Sequence, residues 1–426
     1  MSNKITAVKG MEDLHDPRVL RIWRLVEALA RRVFEPAGFQ EIRTPVLEDA
    51  GLFERSVGET TEIVEKEMYV LLDRNGKRLA LRPEGTASVV RAFIEHFTDH
   101  NILEGRFYYL GPMFRYERPQ KGRYRQFHQI GAENFGSEHP LADAEMIALV
   151  SQLFSELKLE GIELRLNTLG SRNCRRDYQD ALKVFLHQVR DKLCDDCVRR
   201  MERNPLRALD CKKPGCMEAT REAPVILDFL SPESRGHFEQ VQAALKDRKI
   251  LFKMDPRMVR GLDYYEHTVF EFVTAALGAQ NAVAAGGRYN DLVADLGGPK
   301  IPAVGFALGM ERLVSIIPLE RHEETKRPRI YLIGLDQAAD HFFFSRTQEL
   351  RALGAVVQLD LGGASLKNKL KRAARWQADW AVIQGEEERD KGAVILRDMQ
   401  GSSQETILTE ELLSKLSSKF PNAPLS

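Results

Sequence analysis

Two strand-like runs, RFYYL at 106–110 and FHQIGAENFG at 127–136, flank a polar loop dense in arginine. This pairing constrains the fold more than any other feature. Strands that return through short connections build antiparallel sheets, whereas parallel neighbours need a long crossover. The same logic applies upstream. EMYVLL (67–72) and RLALR (78–82) flank DRNGK, where Asn75-Gly76 predicts a tight hairpin because both residues tolerate positive φ. The first region is therefore expected to be α+β with an antiparallel sheet, not a Rossmann arrangement. Residues 17–35 space apolar side chains by three and four, which predicts an amphipathic helix stopped by Gly38. FQEIRTPVLED follows as an extended segment, and Pro45 within it suits an edge or an interface.

Beyond residue 170 the character changes to charged helices with no long apolar strand. From Arg165 to Arg221 there are 14 basic and 8 acidic residues. Strand-like VFEFV resumes at 269–273, so this stretch reads as an insertion. From Arg327-Pro328 onward, IYLIGL, FFFSRTQELRALG, AVVQLDL, SLKNKLKRAARWQ and WAVIQG alternate strand and helix, the pattern of a compact α/β domain. The expected division is a core over 1–167 and 253–325, a helical insertion over 168–252, and a C-terminal α/β domain over 328–426.

Lys+Arg and Asp+Glu are both 62, which excludes binding of nucleic acid by bulk positive field and leaves only local patches. No run approaches the ~18 apolar residues of a membrane helix. The N-terminal segment lacks an apolar signal core, so no membrane association and a cytoplasmic address are expected. All five cysteines lie between 174 and 216. Cys194-x2-Cys197 and Cys211-x4-Cys216 are loosely compatible with a four-cysteine zinc site. The second pair is wider than usual, so ordinary reduced thiols are the favoured expectation and no metal ligand is assigned.

Four segments could carry chemistry. From Arg106 to Arg125 six basic residues stand against one acid, Glu117, and arginine suits bidentate phosphate recognition. RPEGT (82–86) precedes a helical run, where Thr86 is expected to cap, Gly85 permits close backbone approach, and Glu84 could hold an ammonium group. MVRGLDYYEHTVFEF (258–272) sets Arg260 and Gly261 before paired tyrosines. AAGGRYNDLV (284–293) and AVGFALGMERL (303–313) bring glycines followed by Arg288 and Arg312, with Gly305 and Gly309 read as close-packing positions on a helix.

Jointly these segments resemble the histidyl-tRNA synthetases, a family of class II aminoacyl-tRNA synthetases, over nearly the whole chain. GFQEIRTPVLED is similar to motif 1 at the dimer interface, FRYERPQKGRYRQFHQIGAE to motif 2 and GFALGMERL to motif 3. RGLDYY and AAGGRY are marks of the histidine-specific branch. The resemblance implies a histidine–tRNA ligase that forms histidyl-adenylate from histidine and ATP with Mg2+, then transfers histidine to the 3′ end of its tRNA. It implies Arg115 at the α-phosphate, Arg123 and Arg312 toward the polyphosphate, and Phe127 against adenine. Glu84, Gly85, Thr86 and Gln129 would hold the amino and carboxylate end of histidine. Glu133 and Tyr265 would meet the imidazole nitrogens, with Tyr264 and Tyr289 completing the pocket. Arg260 would act as a catalytic cation, and His128 takes no catalytic role. Arg118, Gln120 and Lys121 would approach the acceptor end of the tRNA. In the family the C-terminal domain binds the anticodon region, which makes the basic helix with Lys367, Lys369, Lys371, Arg372 and Arg375 a backbone contact through Lys367 and Lys371. A homodimer is implied by motif 1.

In one position the chain departs from the family pattern: Asn290 follows Tyr289 where Asp is usual, and Asp291 comes next. A non-catalytic alternative exists, the synthetase-like regulatory subunit of ATP phosphoribosyltransferase. Such paralogues typically lack the C-terminal domain and erode the ATP motifs, whereas Arg115, Glu133, Arg260 and Arg312 all stand here.

Overall fold

The computed structural model describes residues 5–58, 61–119, 122–259, 261–278, 281–318, 327–401 and 403–419. Arg260, Gln120 and Lys121 lie outside the described residues. The chain divides into two compact units, residues 1–319 and 320–426.

In the first unit the strands are β1 (Gln40–Glu41), β2 (Leu47–Asp49), β3 (Tyr69–Leu72), β4 (Arg78–Leu81), β5 (Gly105–Phe114), β6 (Gln126–Phe135), β7 (Ile162–Thr168), β8 (Lys253–Met254), β9 (Glu266–Thr274), β10 (Ala282–Arg288) and β11 (Ala303–Gly309). Eight of them form one sheet in the order β1-β5-β6-β11-β10-β9-β7-β8. Its six inner strands pair antiparallel, and only the edge pairs β1–β5 and β7–β8 run parallel. β2, β4 and β3 form a separate small sheet.

The β3–β4 hairpin forms, but more loosely than Asn75-Gly76 predicts. Its loop spans residues 73–77, and only Gly76 takes positive φ, at 81°. The Asp73 carboxylate accepts from the Asn75 and Lys77 amides, both at 2.8 Å, and holds the wider loop closed. Gly305 and Gly309 also depart from expectation. They sit on strand β11, and the helix begins only at Met310. Short apolar runs with glycine do not separate helix from strand by periodicity.

The helix Pro17–Phe34 starts at Asp16, whose carboxylate accepts from the Arg18 amide at 2.9 Å. It buries Ile22, Trp23, Val26, Leu29, Ala30, Val33 and Phe34, and Gly38 (φ 84°) ends the 3-10 turn that follows. That face joins the main core with the helix Pro140–Glu156 and the sheet. Through this core runs a fully buried ion pair, Arg288 Nε to Asp143 Oδ1 at 2.9 Å. Arg288 also donates to Ser137 O and to Asn290 Oδ1 (2.7 and 3.0 Å). The Asn290 side chain thus accepts from the guanidinium, while Asp291 pairs with Arg172 at 2.6 Å.

Between β7 and β8, the helices Arg172–Gln188, Asp195–Arg203, Leu206–Leu209 and Pro214–Ala219 share a small core of their own built on Tyr178, Leu182, Leu186, Met201 and Ile226. The next helix, Pro232–Asp247, instead sends Phe238, Val241 and Leu245 into the main core.

The second unit holds β12 (Arg329–Gly334), β13 (Val356–Leu359), β14 (Trp380–Gln384), β15 (Ala393–Asp398) and β16 (Gln404–Leu408) in the order β13-β12-β14-β15-β16. The first three are parallel, joined by the helices Gln337–Ala352 and Leu366–Arg375, and the last two return antiparallel. Lys367 and Lys371 are exposed. Lys369 is not: it is buried and donates to Gly334 O at 2.7 Å, so the expected row of free charges on the basic helix loses one member to the fold. Arg372 is committed to Asp360 at 2.9 Å. Among the described residues no helix is long and apolar enough to cross a membrane.

Candidate active site

Side chains alternate across a strand, so Phe127, Gln129, Gly131 and Glu133 of β6 share one face. Across the sheet, Glu133 stands opposite Phe107 on β5 and Gly305 on β11, and Gly305 stands opposite Gly287 on β10. The two glycines leave a shallow lane beside the Glu133 carboxylate. A Cβ at Gly305 would overlap that carboxylate, and one at Gly287 would come within 2.9 Å of the Tyr265 ring. Gly85 and Gly131 both face Tyr109, whose ring occupies the space their Cβ atoms would take.

Over this face lies a cavity of about 200 Å³. Glu84, Thr86, Gln129, Tyr264 and Tyr265 line it, together with Arg115, Arg123, Phe127 and Arg312. Residues far apart in the chain therefore converge on one space. Glu133, Tyr289 and Tyr109 are buried next to it, bonded to or packed on its walls.

The helix Thr86–His96 is not capped by Thr86. Glu84 does that work, with its two oxygens accepting from the Thr86 and Ala87 amides at 2.8 Å each. A carboxylate at a helix N-terminus satisfies two orphan donors and meets the positive end of the dipole. Thr86 is thereby freed to donate from Oγ1 to Glu133 Oε1 at 2.7 Å, and Tyr289 donates to Glu133 Oε2. Burial raises the carboxyls of both Glu84 and Glu133, the latter to about 8. Gln129 Oε1 is a buried acceptor with no protein hydrogen bond. In a cavity wall such an atom is open to a donor from a ligand.

Cations gather on the other residues of the lining. Arg115 donates from Nε to Pro83 O at 2.8 Å and lies 5.3 Å from the centre of the Phe127 ring. Arg312 donates to Gly122 O and Ala282 O at 3.2 and 3.0 Å. Arg123 pairs with Glu117 and reaches Glu67 at 3.6 Å. Burial lowers the affinity of Arg312 for its proton, and the like charges of Arg123 and Arg115 lower it further. Three guanidinium groups that repel one another across a cavity favour a multiply charged anion.

Sequence reasoning missed Tyr109, Tyr124 and Glu311. Tyr124 and Glu311 line the cavity. Glu311 accepts from the His128 amide at 2.9 Å and sits 3.0 Å from its Nδ1, while the His128 ring packs edge-on against Trp23. His128 is thus tied down as a structural residue. The glycines flanking Tyr109 in space, Gly85 and Gly131, are in the sequence, but nothing local links them to it.

The family model for histidyl-tRNA synthetase matches residues 10–313, and that for an anticodon binding domain matches residues 314–419. Histidine–tRNA ligase of Syntrophotalea carbinolica is 48% identical over 415 residues, covering 97% of this chain and 99% of the relative. That of Thermodesulfovibrio yellowstonii is 45% identical, covering 98% and 99%. The crystal structure of apo histidyl-tRNA synthetase from S. aureus superposes with a TM-score of 0.77 at 32% identity, over 97% of this chain and all of that one.

Proposed function

The chain belongs to the histidyl-tRNA synthetase family and is a histidine–tRNA ligase, and on that premise we propose how its residues divide the work. The histidine carboxylate attacks the α-phosphorus of ATP, pyrophosphate leaves, and the 3′-terminal ribose hydroxyl of the tRNA then takes histidine from the adenylate. Arg115 and Arg260 stabilise the charge that grows on the α-phosphoryl oxygens. Preorganised donors do this without reorganising at the moment of reaction. Arg123 and Arg312 hold the β- and γ-phosphates, and Phe127 packs on adenine. Oxygen donors on the lining, Glu117 and Glu311, fit the hard Mg2+ that accompanies ATP, whose share is to neutralise phosphate charge. The rest is positioning.

Glu84, Gly85, Thr86 and Gln129 receive the amino and carboxylate end of histidine. Each Glu84 oxygen accepts one backbone amide and keeps a lone pair for an ammonium. Glu133 and Tyr265 meet the imidazole nitrogens, between Tyr264 and Tyr289. The convergence of both residue sets on one cavity is the observation that carries this reading. Pyrophosphate exchange into ATP, assayed with each amino acid in turn, tests it. Histidine alone should support exchange, and a well-folded preparation that exchanges with none would favour the regulatory-subunit reading.

The Glu133 carboxyl gives the histidine affinity a pH signature. Protonated below about 8, it shares one proton with the imidazole, which titrates near 6.5 in solution. Above about 8 neither partner carries that proton and one must be taken up, so affinity falls as pH rises. Below about pH 6.5 the ligand brings a second proton and one must be released, so affinity falls again. Calorimetric titration should therefore give a bell-shaped profile, and Glu133→Gln should abolish the part of the alkaline limb not due to the ligand's own ammonium. Parallel profiles for the two proteins would refute the pairing.

On the tRNA, Arg118, Gln120 and Lys121 contact the acceptor end and Lys367 and Lys371 the anticodon region. Arg118 is exposed, as such a contact needs. We assign a cytoplasmic homodimer through the motif 1 segment. The small β2-β4-β3 sheet next to it supports this, since Leu71 and Leu72 are 49% and 70% exposed. Leu71→Asp with Leu72→Asp is expected to shift the protein to monomer in sedimentation equilibrium. An unchanged dimer mass would place the interface elsewhere.

A further inference from the structure

The four cysteines that spacing alone left as ordinary thiols come together. The Sγ atoms of Cys194, Cys197, Cys211 and Cys216 all lie within 4.8 Å of one another, with Cys194 and Cys211 at 4.0 Å, and none is in a disulfide. A disulfide would bring one pair to about 2 Å and leave the others unrelated. Mutual closeness of four is instead the geometry of a tetrahedral ligand set, whose edges are about 3.8 Å for zinc–sulfur bonds of about 2.3 Å.

Local folding explains how the spacing closes. Cys194 is the N-cap of the helix Asp195–Arg203 and Cys197 lies in its first turn, so the two sulfurs share one end of that helix. Cys211 lies in the turn between the helices Leu206–Leu209 and Pro214–Ala219, and Cys216 lies on the second of these. The wider x4 spacing spans this turn. The Cys194 amide already donates to Cys216 Sγ at 3.2 Å, the backbone contact that a thiolate ligand attracts.

The helices themselves call for such a fastening. They have 9, 4 and 6 residues, all below the roughly 12–15 needed for helices to persist alone. They also have a task near the active site. Arg200 pairs with Glu62, Asn204 donates to Asp263 at 3.1 Å, and Arg207 donates to Gly261 O at 2.8 Å and pairs with Asp263 at 3.0 Å. The contacts to Gly261 and Asp263 hold the segment that leads into Tyr264 and Tyr265.

We propose that Cys194, Cys197, Cys211 and Cys216 bind one structural zinc ion, each thiol losing its proton on ligation, and that the ion fixes Asn204 and Arg207 as positioning residues for the histidine pocket. This rests on the reading of that pocket only for its second part.

The test uses tag-free full-length protein prepared under reducing conditions with zinc present. Elemental analysis should find one zinc per chain that survives gel filtration in EDTA, and an organomercurial should release it. Cobalt(II) added to the stripped protein should give the thiolate charge-transfer absorption and intense visible bands of a tetrahedral sulfur site. Cys211→Ser and Cys216→Ser should each lose both signatures. The wild-type measurements stand even where a variant misfolds. Removing the ion should raise the histidine KM several-fold with a smaller change in kcat. Protein that holds no zinc and gives no cobalt thiolate spectrum overturns the metal site, as does the finding of disulfides among these residues under the same conditions. Bound zinc with an unmoved histidine KM overturns only the link to the pocket.

Discussion

Arg115→Ala is expected to lower histidine-dependent pyrophosphate exchange by roughly 10²- to 10³-fold, the loss typical when one preorganised donor is removed. The Michaelis constant for histidine should change far less, because the Arg115 side chain is held by Pro83 O and by the ring of Phe127, the residue we assign to adenine. Arg260→Ala should behave alike, keeping histidine and ATP binding while losing most of the exchange. If both guanidiniums serve one developing charge, the double variant will fall short of the product of the single losses. Arg115→Lys should recover little, since one ammonium cannot reproduce a bidentate fork. Exchange near wild type in either alanine variant would remove that arginine from the chemistry.

A second large effect is expected at a residue that does not line the cavity. Asp143→Ala leaves the fully buried Arg288 without its counter-charge, and breaking such a pair costs about 3–5 kcal/mol. Asp143 also accepts from Thr268 Oγ1 at 3.1 Å and contacts His237, so three elements lose their common acceptor. Asp143→Asn keeps the shape and one acceptor and should lose less. Calorimetry is the suitable measurement, because two units need not unfold in one transition. Activity should fall as well, since Tyr289 adjoins Arg288 and bonds Glu133. A loss below about 1 kcal/mol would mean that Ser137 O and Asn290 already satisfy the guanidinium.

What the sequence reveals follows the range of the forces involved. Periodicity and turn chemistry act over a few residues, so the helix at 17–34, both hairpins and the strand–helix alternation after 327 were legible. Motif spelling also singles out nine of the residues that line the cavity. The failures are questions that only tertiary geometry answers. Thr86 is the better N-cap by preference, yet Glu84 takes the amides and the threonine hydroxyl goes to Glu133, 47 residues onward. Lys369 looks like its neighbours until Gly334 O captures it. Arg288 and Asp143 stand 145 residues apart, and no local pattern pairs them. The cysteines are intermediate: the spacing was visible, but its closure needed the turn at residue 211.

The glycines behind the pocket bear on any attempt to recode the enzyme. Gly85 and Gly131 give the Tyr109 ring its place, Gly305 the Glu133 carboxylate and Gly287 the Tyr265 ring. Amino-acid preference is thus written partly in what the sheet leaves out. A library that varies only the side chains facing the substrate would explore new groups in an old mould. To admit a different amino acid, an engineer would have to reshape the floor, where added bulk at Gly305 or Gly287 displaces Glu133 or Tyr265, the groups we propose for the imidazole.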